Sequence, residues 1–233
     1  MMNKSTAKLL TLALFALSSV VSTCKAEGSL ALTGFESAKN NGYYYVGFLN
    51  AFEGSRLGNG YVQRFWADYL TYQYNNGTSD VNAKAPGIAY SLGYQKSTET
   101  QSWGAYLGVQ GRKTNLSPDD PGNDSRGNRG SVVVALEGRQ KLHEAFAVEL
   151  MGNYAPNTGY WSRARVPIGT SIKTGPEYAV QGNPSYQNQK VGWFVSDIDL
   201  GSGFKTGGKL GFSRNNGMGG SLYFGLDLTK YID

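Results

Sequence analysis

The chain has 233 residues, with 22 Lys+Arg against 17 Asp+Glu and a formal net charge of +5. Lys4, Lys8 and Lys25 fall within the first 26 residues, so removing these three leaves 19 cations against 17 anions. That balance lacks the basic excess a nucleic-acid partner requires, and a single cysteine, Cys24, excludes a disulfide framework.

From the beginning of the chain, residues 1–26 read as a secretory leader. Lys4 and Lys8 precede an apolar run over 9–21, and Cys24-Lys25-Ala26 supplies the small residues that a signal peptidase reads. The run is too short to cross a hydrocarbon layer of about 30 Å as a helix, and no later stretch is more continuously apolar. A lipid-modified Cys24 is the alternative, but Thr23 stands where Gly, Ala or Ser usually precedes such a cysteine. Cleavage after Ala26 is the expectation, leaving 27–233 as one domain with no Pro/Ser-rich linker to divide it.

The mature chain draws on 32 Gly and 16 Tyr and shows period-two patterning in place of helical spacing. Taken in order, strands are expected over 30–35, 43–52, 61–74, 87–94, 105–112, 131–139, 146–153, 160–166, 172–180, 187–195, 209–214 and 221–229. Alternation is clearest in the last of these, where Leu222, Phe224, Leu226 and Leu228 oppose Ser221, Tyr223, Gly225 and Asp227. It is weakest in 30–35, 43–52, 61–74 and the segments between 160 and 214. Turn signals such as Asn75-Asn76-Gly77 and Asn215-Asn216-Gly217 separate them.

The pattern predicts an all-β fold, a closed antiparallel transmembrane β-barrel of about twelve strands in a bacterial outer membrane. A soluble sandwich also alternates, but aromatic residues gather near strand ends here, and the second face carries charges and glycines where a sandwich needs aliphatics. With both termini in the periplasm, connections after odd-numbered strands face outward. The longest connection, 115–130, is then extracellular.

Alternation places Arg64, Asp68, Arg112, Glu137, Arg139, Glu149, Arg163, Arg165, Lys173 and Glu177 on the inward face. Buried charges without partners cost several kcal/mol, so an interior of both signs is expected to pair into a structural charge network. Arg163, Arg165 and Glu177 are expected to share one group. The alternative is a passage for an anionic or sugar-like solute, with Tyr43, Tyr45 and Trp161 as stacking surfaces.

In the long loop, Ser117, Asp119, Asp120, Asn123 and Asp124 can hydrogen-bond sugar hydroxyls, and Pro118 and Pro121 restrict its shape. The carboxylates also suit weak calcium ligation or a glycosidase pair, though without rigid framing. The only histidine, His143, falls in 140–144, read as a periplasmic turn, so no catalytic residue is assigned. Phosphate-cradling glycine loops, zinc spacings and dinucleotide fingerprints do not occur, and no metal or cofactor is expected.

Three longer motifs carry a resemblance: Thr114-Asn115-Leu116-Ser117-Pro118-Asp119-Asp120-Pro121-Gly122-Asn123, then Tyr160-Trp161-Ser162-Arg163-Ala164-Arg165, then Gly175-Pro176-Glu177 with Gln181-Gly182-Asn183-Pro184-Ser185-Tyr186. They resemble the cellulose biosynthesis protein BcsS family over most of the mature chain. The resemblance implies an outer-membrane protein of bacterial cellulose production, with membrane lipid, glucan and other secretion components as partners. It implies no known reaction and carries over no catalytic residue.

Overall fold

The computed structural model describes residues 28–216 and 218–232, so the leader and its cleavage point lie outside the described residues. Twelve strands make up the chain: β1 (Ser29–Ala38), β2 (Asn41–Ala51), β3 (Asn59–Asn75), β4 (Asp80–Ser97), β5 (Gln101–Ser117), β6 (Gly127–His143), β7 (Phe146–Ala155), β8 (Gly159–Arg165), β9 (Lys173–Asn183), β10 (Tyr186–Gly201), β11 (Phe204–Asn215) and β12 (Gly219–Ile232). Each pairs antiparallel with its sequence neighbours, and β1 pairs with β12 to close the barrel. Closure satisfies the edges that an open sheet would leave unpaired in lipid.

The strand residues alternate as expected. Ile88, Leu92, Leu107, Val109, Val132, Val134, Leu136, Leu150, Leu210 and Leu222 are exposed on the outside, forming the apolar belt of a membrane-spanning barrel. Aromatic pairs reinforce it across strands, with Phe65 and Tyr90 centroids 4.8 Å apart and Phe35 edge-on to Phe224 at 5.7 Å.

Two boundary expectations need correction. The connection expected over 115–130 shrinks to 118–126, because the β5–β6 ladder continues to Thr114↔Gly127 and β4 holds β5 as far as Ser117. His143 is the last residue of β6, paired with Phe146, so the turn is 144–145. In the first place the strands run on beyond the apolar belt, where Lys113, Asn115 and Asn128 take the outward positions and hydrophobic alternation gives no signal; in the second a register shift between Lys141 and His143 interrupts the alternation.

The rim opposite the chain ends, here the distal rim, carries the 118–126 connection. The proximal rim, with Ser29 and Ile232, carries 52–58 and 166–172, so long connections occur at both ends. The wall is uneven in height. β3 to β6 run 17 or 18 residues, whereas β8 has 7. β7 joins β6 only from Val134, so the β5–β6 hairpin projects past its neighbour at the distal rim.

Candidate functional site

All ten charges expected on the inward face lie on it, but they form separate groups and not one network. In the first, Arg165 of β8 is directly opposite Glu177 of β9, and its Nε donates to Glu177 Oε2 at 2.5 Å. Arg163 Nε lies 3.8 Å from the same oxygen, and Tyr223 Oη donates to Oε1 at 3.2 Å. The Glu177 side chain is 1% exposed, so these contacts are dry. Phe194 and Trp161 flank the guanidinium groups of Arg165 and Arg163 at 4.3 and 5.4 Å from the ring centroids.

In the second, Asp68 and Arg112 pair at 2.7 Å, and Arg112 Nη1 also donates to the Ala85 carbonyl at 2.8 Å. Gly87 permits this pair, since a Cβ there would come within 2.9 Å of Arg112 Nη2. In the third, Arg64 lies 4.2 Å over the Tyr106 ring, and the Tyr106 hydroxyl donates to Glu137. Gln95 Nε2 donates to both Tyr106 Oη and Glu137 Oε1, at 2.8 and 3.1 Å. Nearer the proximal rim, Arg139 meets Glu149 at 3.3 Å and Lys173 donates to Asp197.

The most buried ionic group was absent from the sequence expectation. Glu36 of β1 accepts from Lys190 of β10 at 2.5 Å and from Lys209 of β11, with every side chain no more than 6% exposed. Gly225 leaves the space, because a Cβ there would meet Lys209 Cε at 2.8 Å. The expected first strand stopped at Phe35, one residue short of Glu36. Outward Val191, Trp193 and Val195 are the signal that could have placed Lys190 inside.

The bore is crossed above these groups. β3 and β9 stand opposite each other in the ring, yet Asn183 Nδ2 donates to Tyr72 Oη at 2.9 Å. Tyr186 stacks on Tyr72 with centroids 4.4 Å apart, and both join Tyr74, Val81, Ala83 and Ala85 in one buried cluster. Beside it Asn41 and Asn188 donate to Ser213 Oγ at 3.1 and 2.7 Å. Tyr43, Tyr45 and Trp66, with centroids 5.6 and 5.0 Å apart, stack inside the wall. At the proximal end Leu57 of the 52–58 connection packs on Ala51, Val62, Tyr106 and Ala135.

The distal loop caps this plug. Tyr74 Oη donates to Asp120 Oδ2 at 2.6 Å and accepts from Asn123 Nδ2 at 2.6 Å. Asn123 and Ser125 are buried, while Asp124 and Ser117 are exposed. Arg126 makes two hydrogen bonds of 2.6 Å with Asp119, which hold the guanidinium pKa above its ordinary value. Asp119 and Asp120 thus have partners and do not face each other as a catalytic pair. Among the described residues no group of three His, Cys, Asp or Glu side chains is placed to hold a metal ion.

The profile of the family described as cellulose biosynthesis protein BcsS matches residues 30–231, nearly the whole chain. This chain belongs to the BcsS family. No curated protein matches it. Among solved structures it is similar to the KdgM porin, at 10% identity and TM-score 0.46, covering 86% of this chain and 98% of the other. LpxR from Salmonella typhimurium matches at 10% identity and TM-score 0.47, covering 87% and 99%. The translocator domain of the autotransporter NalP from Neisseria meningitidis matches at 11% and 0.44, covering 97% and 96%.

Proposed function

We propose that this BcsS-family barrel is a non-enzymatic outer-membrane accessory of bacterial cellulose production, which anchors or organises the polymer at the cell surface through its distal rim. The observation that carries this reading is the crossing of the bore by Tyr72, Tyr186 and Asn183. That layer stands in the way of a glucan chain, which supports a polymer that meets the rim and not the lumen. The distal loop supports a recognition role: Asn123 and Asp120 tie it down, while Ser117 and Asp124 stay in solvent. Long ordered loops are commonly functional. The inward ion pairs serve the wall, as partners for charges that would otherwise be buried alone.

The test replaces 118–126 by a short Gly-Ser turn and, separately, deletes the gene, with surface cellulose and lipid A species quantified in the same cells. Surface cellulose falls in both strains and lipid A is unaltered. Unchanged cellulose after gene deletion overturns the accessory role. An altered lipid A pattern replaces it with an enzyme.

A further inference from the structure

Two hollows lie side by side on the outer wall just below the distal rim, and both border β4. One, about 210 Å³, lies between the β1–β2 turn and β3–β4, with Tyr44, Thr71, Gln73, Asn82 and Lys84 in its lining. The other, about 480 Å³, is lined by Pro86, Ile88, Gly111, Lys113 and Gly130.

The floor of the second hollow has no internal explanation. Glycine weakens a strand, and at neighbouring positions crowding requires it: a Cβ at Gly93 would come within 2.3 Å of the Tyr106 ring, and one at Gly108 within 2.1 Å of the Tyr90 carbonyl. Gly111 and Gly130 face each other across β5 and β6, neither has a left-handed φ, and a Cβ on either meets nothing within 4 Å. What the glycines preserve is an open slot. It lies one row beyond Val109 and Val132, the last outward apolar pair of the belt on these strands.

One row further toward the rim, Lys113 is opposite Asn128. Lys84 is opposite Asn115, two residues along β5 from Lys113, so the lysines are diagonal neighbours on the outer face, about 7–8 Å apart at the backbone. Both are exposed, and neither has an ion pair among the described residues. From belt to rim the wall therefore presents an apolar slot, two free ammonium groups and a hollow into which Thr71, Gln73 and Asn82 bring hydroxyl and amide groups beside the Tyr44 ring. In an outer-leaflet glycolipid of the lipid A type the acyl chains hang below a disaccharide that carries phosphates beside its hydroxyls, so ammonium groups and a hydrogen-bonding hollow are both met at headgroup depth, where basic side chains bind anionic lipid.

We infer that this wall docks one molecule of a phosphorylated glycolipid of the outer leaflet. Its phosphate lies between Lys84 and Lys113, an acyl chain runs over Gly111 and Gly130, and the sugar faces Gln73 and Asn82. The assignment rests on the outward placement of the distal rim in the proposed function, but not on any link to cellulose.

The experiment uses the mature full chain, delipidated in mild detergent and incubated with bis-phosphorylated lipid A, with retained lipid counted by native mass spectrometry. One copy is retained. The double variant Lys84→Gln/Lys113→Gln reduces retention by about tenfold or more, the scale of a lost charge-assisted contact. Gly111→Val/Gly130→Val fills the slot with residues that suit a strand and reduces it similarly. Arg214→Gln, on the outward face of β11, leaves retention unchanged, and all variants keep their heat-dependent gel shift. Equal retention by either double variant overturns the site. Phosphatidylglycerol retained as well as lipid A overturns the glycolipid assignment, and displacement by millimolar inorganic phosphate reduces it to a free-anion site. Failure here leaves the cellulose phenotype of a loop replacement untouched, so the two proposals fall separately.

Discussion

Replacing Glu177 by Gln keeps the volume of the side chain and removes only its charge. Two guanidinium groups depend on that charge: Arg165 at 2.5 Å and Arg163 at 3.8 Å, with side chains 9% and 15% exposed. Breaking a dry pair by removing one partner costs about 3–5 kcal/mol, because the remaining charge is left without compensation. For a chain of this size each kcal/mol moves the unfolding midpoint by about 2–4 °C, so the midpoint falls by about 6–20 °C. The assay follows the conversion of the compact band to the extended band on gels of unboiled protein heated in steps. The companion Glu177→Leu/Arg165→Met/Arg163→Met removes all three charges and recovers much of the loss, since apolar replacements of a buried ionic group are often neutral. Asp119→Asn, at a pair whose side chains are 56% and 47% exposed, leaves the midpoint where it was. A Glu177→Gln midpoint within about 2 °C of the wild type refutes the claim that this group is dry and paired.

Three further outcomes follow from the same geometry. The wild-type barrel gives no steady conductance in planar bilayers, whereas Tyr186→Ala combined with Tyr72→Ala gives one, because the two rings and their bridge to Asn183 close the bore; equal traces refute the plug. An impermeant thiol reagent labels Asp124→Cys in intact cells and does not label Glu144→Cys at the other rim, with the reverse pattern inverting the orientation; Ser125, at 5% exposure, is too buried to serve as the probe. The intact mass of the mature protein corresponds to a chain beginning at Glu27, and a diacylated Cys24 at the amino terminus refutes cleavage after Ala26.

Alternation made the wall legible wherever a strand crosses the apolar belt. Leu222 to Leu228 and Val132 to Leu136 lie outside as their period requires, and Arg163, Arg165 and Glu177 share one group because their register was readable from neighbouring strands. Legibility ended where the belt ends. Gly127 to Gly130 reads as loop because its outward positions, Asn128 and Gly130, carry no hydrophobic signal, and Gln140 to His143 because Leu142 stands alone there at a register shift, yet both stretches pair in the ladder. The plug was not legible at all. Tyr72 and Asn183 lie 111 residues apart, and their meeting depends on which strands face each other across the ring, a property of closure and not of any local pattern.

The closed bore limits where any recognition can occur. Opening it for a polymer means separating Tyr72 from Tyr186, breaking the Asn183 bridge, lifting Asn123 and Asp120 off Tyr74, and parting the layer in which Glu36 holds Lys190 and Lys209. Each neutral hydrogen bond contributes only about 0.5–1.5 kcal/mol, but the buried ion pairs cannot part in a dry lumen without several kcal/mol each. Binding surfaces are thereby displaced to the outside of the molecule, where the tall wall of β3 to β6 carries the 118–126 loop and the second hollow, and the first hollow lies between that wall and the β1–β2 turn. The low wall of β7 to β9 carries neither. A glycolipid seated under the loop would fix the depth and rotation of the tall wall in the leaflet and so hold the loop at a defined height above it. On that argument Lys84→Gln/Lys113→Gln, which leaves the loop intact, lowers surface cellulose by less than removal of 118–126 does. A larger loss than the loop deletion would instead make the wall, and not the rim, the surface that the polymer machinery uses.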